Sequence, residues 1–226
     1  MQRANRYYRR SRIAEGKFRE FLRCFALDLT ATQAALMTGL SLRTAKVIYQ
    51  KLRARIAEAC EASSPLRGEI ELDESYFGPT RVPGRRGRGA GRKVIVFGLL
   101  KRQGKVYTQI VPNVRRKTLQ QIIQGRVDLE SVLYTDTFVS YQGLVDVGYA
   151  KHHRVQHDQD EFARGTNHIN GIESFWSFAK RRLQKFNGVP KHTFYLHLKE
   201  TEWRFNHRER NLYRELLHML REKPLN

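Results

Sequence analysis

Residues 69–78 read EIELDESYFG, and their alternation sets the fold class. Side chains along a strand point to opposite faces in turn. Glu69, Glu71 and Asp73 therefore share one face, with Ile70 and Leu72 on the other. The run RKVIVFGLLKR (92–102) predicts a buried strand, and GKVYTQIVPN (104–113) a third strand reached through a Gln103-Gly104 hairpin. Residues 118–126 read as a helix. SVLYTD (131–136) reads as a short apolar strand ending on Asp136, 138–144 as a helix and 149–155 as a short strand. From residue 172 onward the pattern is mostly helical. A three-strand meander followed by alternating helices and strands predicts a mixed α/β domain.

Upstream of residue 61 the texture differs. Phe18, Phe21, Leu22 and Phe25 recur at helical spacing. Thr30 is placed to cap a short helix over 31–37, Gly39 breaks it, and Ser41 caps a second helix to about residue 59. Two helices joined by a short turn containing Gly form a helix-turn-helix pattern. Leu42, Ala45, Ile48, Tyr49, Leu52 and Ile56 make one apolar stripe on the second helix. Arg43, Lys46, Val47, Gln50 and Lys51 point away from it, as the cationic front of a recognition helix would. The alternative is a small three-helix bundle with a solvated face. EASSPLRG (61–68) reads as a linker, so the expected domains are 1–64, all-α, and 65–226, mixed α/β with C-terminal helices.

The 226 residues carry 42 Lys and Arg against 22 Asp and Glu, a net charge of +20. Such an excess points to a polyanion, nucleic acid first. An anionic membrane surface fits less well, because no long basic helix with one clean apolar face stands at a terminus. With 12 Phe and 10 Tyr, a disordered chain is excluded. No apolar run is long enough to span a membrane, and the basic start lacks the features of a secretory signal. Two cysteines, Cys24 and Cys60, make neither a disulfide framework nor a zinc ribbon, and a reducing cytoplasm is the expected compartment. The segment PTRVPGRRGRGAGR (79–92) holds five arginines, four glycines and no acid, which reads as a flexible basic loop. Its Arg81, Arg85, Arg86, Arg88 and Arg92 are expected to contact DNA phosphates.

Acids are scarce, so their placement is informative. Asp73 lies in the first strand, and Asp136 ends the apolar strand that follows the first helix of the domain. Sites in α/β sheets form outside the carboxyl ends of strands, so the two converge if those strands are neighbours. Glu173 lies in NHINGIESFWSFAKRRLQKF (167–186). At about 100° per residue, Glu173, Ser177, Lys180 and Gln184 share one polar edge, opposite Ile172, Phe175, Phe178, Ala179, Leu183 and Phe186. Three carboxylates at a sheet edge in a basic protein suit two Mg²⁺ or Mn²⁺ ions acting on a phosphodiester. Plainer readings exist: a strand end for Asp73, a cap for Asp136, and a capping pair formed by Asn170 and Glu173.

The order LDESYFG, YTDTFVSY, HINGIESFWSFAKRRL resembles the DDE transposases of bacterial insertion sequences. It is most similar to the DDEK type of the IS-fifteen-ninety-five superfamily, with its ISXO-type transposase domain. The match spans about residues 69–210, and its most specific piece is 168–177 followed by Lys180. The resemblance implies an RNase H-like fold, a two-metal site and cut-and-join chemistry on DNA ends. Asp73 matches the first aspartate, Asp136 the second, Glu173 the third acid and Lys180 the trailing lysine. Some relatives have Asn or His as the third acid; this chain keeps Glu. Many carry a cysteine zinc ribbon near the N-terminus; here the helix-turn-helix takes over docking. The expected partners are double-stranded terminal inverted repeats and target DNA, with a homodimer or larger synaptic assembly. The competing class is a non-catalytic DNA-binding regulator with a dimerisation domain. A third is a structure-specific nuclease of the same fold.

Other features are weaker. His152, His153 and His157 with Asp158 suggest a zinc cluster or, given Lys151 and Arg154, a phosphate-contacting strand end. Trp176 and Trp203 read as core aromatics, with base stacking an alternative for Trp176. Tyr213 reads as part of a packed helix with Leu212, Leu216 and Leu217.

Overall fold

The computed structural model describes residues 5–63, 65–78, 93–136, 148–149, 151–155 and 169–226, with Asp136, Arg154 and Val155 described by their backbone alone. The expected loop 79–92 and helix 138–144 lie outside these residues. The elements run α1 (Glu15–Ala26), α2 (Ala31–Thr38), α3 (Leu42–Glu61), β1 (Glu69–Phe77), β2 (Val94–Lys101), β3 (Val106–Val111), α4 (Arg116–Arg126), β4 (Val132–Asp136), β5 (Lys151–Val155), α5 (Asn170–Gln184), α6 (Lys191–Asn206) and α7 (Leu212–Glu222). No described helix is long and apolar enough to cross a membrane.

The chain divides into two compact units, residues 1–61 with 207–226, and residues 62–206. In the first unit Thr30 caps α2 through a capping box with Gln33, and Gly39 ends it at φ +68°, a backbone conformation that favours glycine. Ser41 Oγ accepts the Thr44 N–H at the start of α3. Phe18, Phe21, Leu22 and Phe25 bury with Ile48, Tyr49, Leu52 and Ile56. Tyr49 meets the Phe25 ring edge-on at 4.9 Å and donates its hydroxyl to the Leu29 carbonyl. Leu42, expected in this stripe, is 41% exposed, because it opens α3 ahead of the turn that packs.

The sequence pattern placed residues 207–226 with the α/β domain. They belong instead to the first unit. Leu216 and Leu220 of α7 are fully buried, Tyr213 Oη accepts from Arg19, and Leu225 pairs with the N-terminal segment at Tyr7 and Arg9. A closing β-bridge between the two ends of the chain, Tyr8 with Leu225, ties α7 to α1.

The second unit is built on one five-stranded sheet ordered β3-β2-β1-β4-β5. β1, β2 and β3 form the expected antiparallel meander, while β4 pairs parallel to β1 and β5 parallel to β4. A parallel return needs a crossover, and α4 supplies it between β3 and β4. This is the RNase H-like mixed sheet. One sheet face buries Ile70, Leu72, Phe97, Leu99 and Leu133 with Leu119 and Ile123 of α4. The other buries Val96, Leu100 and Tyr134 with Ile172, Phe175 and Trp176 of α5 and Leu198 of α6. β2 is apolar on both sides because both faces are covered.

The outer edge of β3 is closed by side chains of α6. Thr108 donates its N–H (2.8 Å) and hydroxyl (2.7 Å) to Glu202, and its carbonyl accepts from Lys199 at 2.8 Å. Asn206 does the same for Val106, accepting its N–H and donating to its carbonyl. An edge strand otherwise presents unpaired backbone groups; here a helix occupies them with residues three and four apart.

Candidate active site

Glu71 and Asp73 stand two residues apart on the face of β1 that α5 covers. The Glu71 carboxylate accepts the backbone N–H of Ile172 at 2.8 Å. Asp73 Oδ2 accepts the indole N–H of Trp176 at 2.9 Å. Two strand residues span about 6.7 Å and four helix residues about 6 Å, so the two pairs fit one alignment of α5 along β1. Each contact needs a residue without a side chain. A Cβ on Gly171 would lie 2.8 Å from Glu71 Oε2, and one on Gly98, which pairs with Asp73 across β1 and β2, would lie 2.6 Å from the Trp176 ring.

Glu71 is buried, and its other oxygen accepts from Arg102 Nε at 3.1 Å. Its negative charge also faces the positive end of α5, where orphan N–H groups collect. This takes the place of the capping pair that Asn170 and Glu173 offered as the plainer reading. Ile169 is the N-cap, without a side-chain bond, and the cap comes from β1. Glu173 is thereby left exposed in the first turn of α5, one residue after the Glu71 anchor and three before the Asp73 contact.

Asp73 is half-buried, and its Oδ1 accepts the Glu74 N–H at 2.8 Å. The parallel ladder of β1 and β4 runs to Leu72 opposite Thr135. Asp73 follows Leu72 and Asp136 follows Thr135, so both come just past the last paired residues, with Asp136 ending β4. Among the described residues no three His, Cys, Asp or Glu side chains form a metal cluster; Asp136 is described by its backbone alone. The donor set nevertheless fits a hard divalent cation: Asp73 offers carboxylate oxygens held in place, and Glu173 offers another at the open end of α5.

The polar edge of α5 is as expected. Glu173, Ser177, Lys180 and Gln184 are exposed. The buried side differs in part: Trp176 and Arg182 are buried, while Phe178 and Phe186 are only half-buried. Arg182 turns inward because Glu200 (2.6 Å) and Thr201 (2.7 Å) of α6 receive it. Trp176 is buried against Phe77 and Phe175, which leaves no ring face for a base. Glu71 and Gly98 are residues that sequence reasoning did not assign to the site, and for Trp176 it offered base stacking and not a bond to Asp73. The period-2 placement of Glu71 beside Asp73 was the one signal available for any of them.

On α3, Arg43, Lys46, Val47 and Gln50 are exposed on one side. Lys51 is engaged within its own unit, donating to Tyr8 Oη at 2.9 Å and to the Asn226 carbonyl, over the Tyr8 ring. Arg81, Arg85, Arg86, Arg88 and Arg92 lie outside the described residues, as do His157 and Asp158. His152 Nε2 lies 2.8 Å from Thr135 Oγ1, and His153 stacks on Tyr134 at 5.2 Å.

The ISXO2-like transposase domain model matches residues 65–206, more than half of the chain. A transposase-like protein of Haemophilus influenzae is 54% identical over 105 residues, covering 46% of this chain and 84% of that protein. A protein in transposable element ISH50 of Halobacterium salinarum is 29% identical over 163 residues, 65% of this chain and 55% of its own length. Among solved structures, the catalytic core domain of BIV integrase is similar with a TM-score of 0.41 at 14% identity, covering 70% of this chain and 99% of that one. The Mos1 strand transfer complex is similar with a TM-score of 0.38 at 13% identity, covering 89% and 74%. The match over residues 65–206 assigns the family: this chain belongs to the ISXO2-like transposases.

Proposed function

We propose that the chain binds the terminal inverted repeats of an insertion sequence and catalyses DNA cleavage and strand transfer. Asp73, Asp136 and Glu173 are its metal-binding acids. The observation that carries this is the double attachment of α5 to β1. It holds Glu173 in the first turn of a helix whose next turn touches Asp73, and the β1–β4 register, which ends at Leu72 opposite Thr135, supports placing Asp136 near them. Two Mg²⁺ or Mn²⁺ ions bound there would supply activation of the attacking oxygen and stabilisation of the leaving one. Asp73 is held by two N–H donors, so little reorganisation is needed when it takes up a cation. Lys180, two turns along the exposed edge from Glu173, is suited to a phosphate near the scissile bond.

The net charge of +20 supports a nucleic-acid partner. Arg43 and Gln50, exposed on α3, are the proposed base-edge contacts and Lys46 a phosphate contact. Lys51, committed to Tyr8 and the C-terminus, is withdrawn from that set. The arginines of 79–92 are proposed as a sequence-blind clamp. Assembly as a homodimer or larger would bring two ends together.

The test is cleavage and joining of the element's own terminal-repeat duplex by the full chain in Mg²⁺. Asp73→Asn, Asp136→Asn and Glu173→Gln should each remove both reactions and leave duplex binding near wild type. Arg43→Ala and Gln50→Ala should each weaken specific binding by about 1–3 kcal/mol. Cleavage that persists in any of the three acid variants would refute the assignment.

A further inference from the structure

We propose that Trp176 is a positioning residue for Asp73, and that Gly98 is the gap in the sheet that lets it reach. This rests on Asp73 being a metal ligand, as proposed above. Trp176 is 5% exposed, yet its indole N–H ends on Asp73 Oδ2 at 2.9 Å. Phe77 and Phe175 hold the ring, at centroid distances of 6.0 Å and 5.0 Å. The other carboxylate oxygen accepts the Glu74 N–H. With a donor on each oxygen, the plane of the carboxylate is fixed instead of turning freely about its last torsion.

The identity of the donor matters. An indole N–H is neutral and donates only. It therefore orients the carboxylate without neutralising it, whereas a Lys or Arg in that position would compete with a cation for the same charge. Partners that orient a metal ligand from behind commonly matter to metal affinity by 10–100-fold. The ring can approach only because residue 98 has no Cβ: one would meet Trp176 Cζ2 at 2.6 Å and Cη2 at 2.8 Å.

The experiment is Mn²⁺ binding to the full chain, read from loss of the free-ion electron paramagnetic resonance signal. Melting temperature and duplex affinity are measured alongside. Trp176→Phe keeps a ring between Phe77 and Phe175 and removes the donor. Gly98→Ala keeps the donor and displaces the ring. Both should weaken Mn²⁺ binding, by roughly tenfold for Trp176→Phe, with duplex affinity unchanged. In an Asp73→Asn background, Trp176→Phe should cause no further loss, since it acts through Asp73. A lowered melting temperature with wild-type Mn²⁺ affinity in the two variants would mark a purely structural tryptophan and overturn the inference. So would losses that multiply in the double variant. Mn²⁺ binding indifferent to Asp73→Asn would overturn the metal-site reading itself, and is distinguishable from binding lost in Asp73→Asn but intact in Trp176→Phe.

Discussion

The sheet meets its covering helices in two places through the same chemistry, a carboxylate accepting N–H groups from another element, with opposite outcomes. At β3 and α6 the acid is on the helix. Glu202 takes the Thr108 N–H and hydroxyl and the Lys199 ammonium, and both charged side chains are at most 2% exposed. At β1 and α5 the acids are on the strand. Glu71 is buried and tied to Arg102 and Ile172, but Asp73, two residues on, is half-buried and held by N–H donors from Trp176 and Glu74. A carboxylate sealed against an ammonium is committed to the fold. Asp73, midway along β1, is only half-buried, and N–H groups of Trp176 and Glu74 meet its two oxygens. Burial and the charge of the described donors, more than the acid itself, distinguish the two contacts.

That contrast can be broken by stability measurements. Lys199→Ala leaves Glu202 buried without its cation and should cost about 3–5 kcal/mol in urea unfolding. Glu71→Gln keeps the shape but withdraws the charge that Arg102 and the start of α5 share. It should cost about 1–3 kcal/mol and lower cleavage by shifting Glu173. A third effect appears with pH. Burial pushes the Glu202 carboxyl above its ordinary 4.5, against the pull of Lys199 and Thr108. The folded state then holds that proton more tightly than the unfolded chain. Wild-type stability relative to Glu202→Gln should fall as pH rises from 4.5 to the raised folded value, and be flat below. The slope is at most about 1.4 kcal/mol per pH unit. A rise over that window would contradict the assigned burial effect. Asp73→Asn should be the smallest, about 1 kcal/mol: its one amide oxygen keeps the Trp176 N–H and gives up the Glu74 N–H, at a half-buried position where water can replace that bond. A loss in Asp73→Asn as large as in Lys199→Ala would erase the distinction between the two regions.

Much of the site was legible in the residues. Strand alternation put Glu71 and Asp73 on the face opposite Ile70 and Leu72, and helical periodicity put Glu173 and Lys180 on an exposed edge. Both signals are local, and both depend only on the repeat of one element. What periodicity missed was set by distant partners. Trp176 buries because Gly98 makes room and Asp73, 103 residues away in sequence, takes its N–H. Arg182 buries because α6 brings Glu200. The start of α5 is capped by Glu71, 101 residues upstream, where the sequence offered Asn170 and Glu173 close at hand. Lys51 has a cationic side chain on the right helix, but Tyr8 and the C-terminus claim it. The apolar stripe of α7 announced a packed helix without saying which core it packs on, since Leu216 and Leu220 would fit either.

The central claim is that Asp73, Asp136 and Glu173 surround one divalent-cation site. Iron(II) substituted for Mg²⁺, with ascorbate and peroxide, generates hydroxyl radicals at the bound ion and cuts the polypeptide beside it. Mass spectrometry of the full chain should find cuts clustered near residues 73, 136 and 173, all suppressed together by excess Mg²⁺. Cutting confined to another region, such as the strand carrying His152 and His153, or cutting that Mg²⁺ does not suppress, would contradict it.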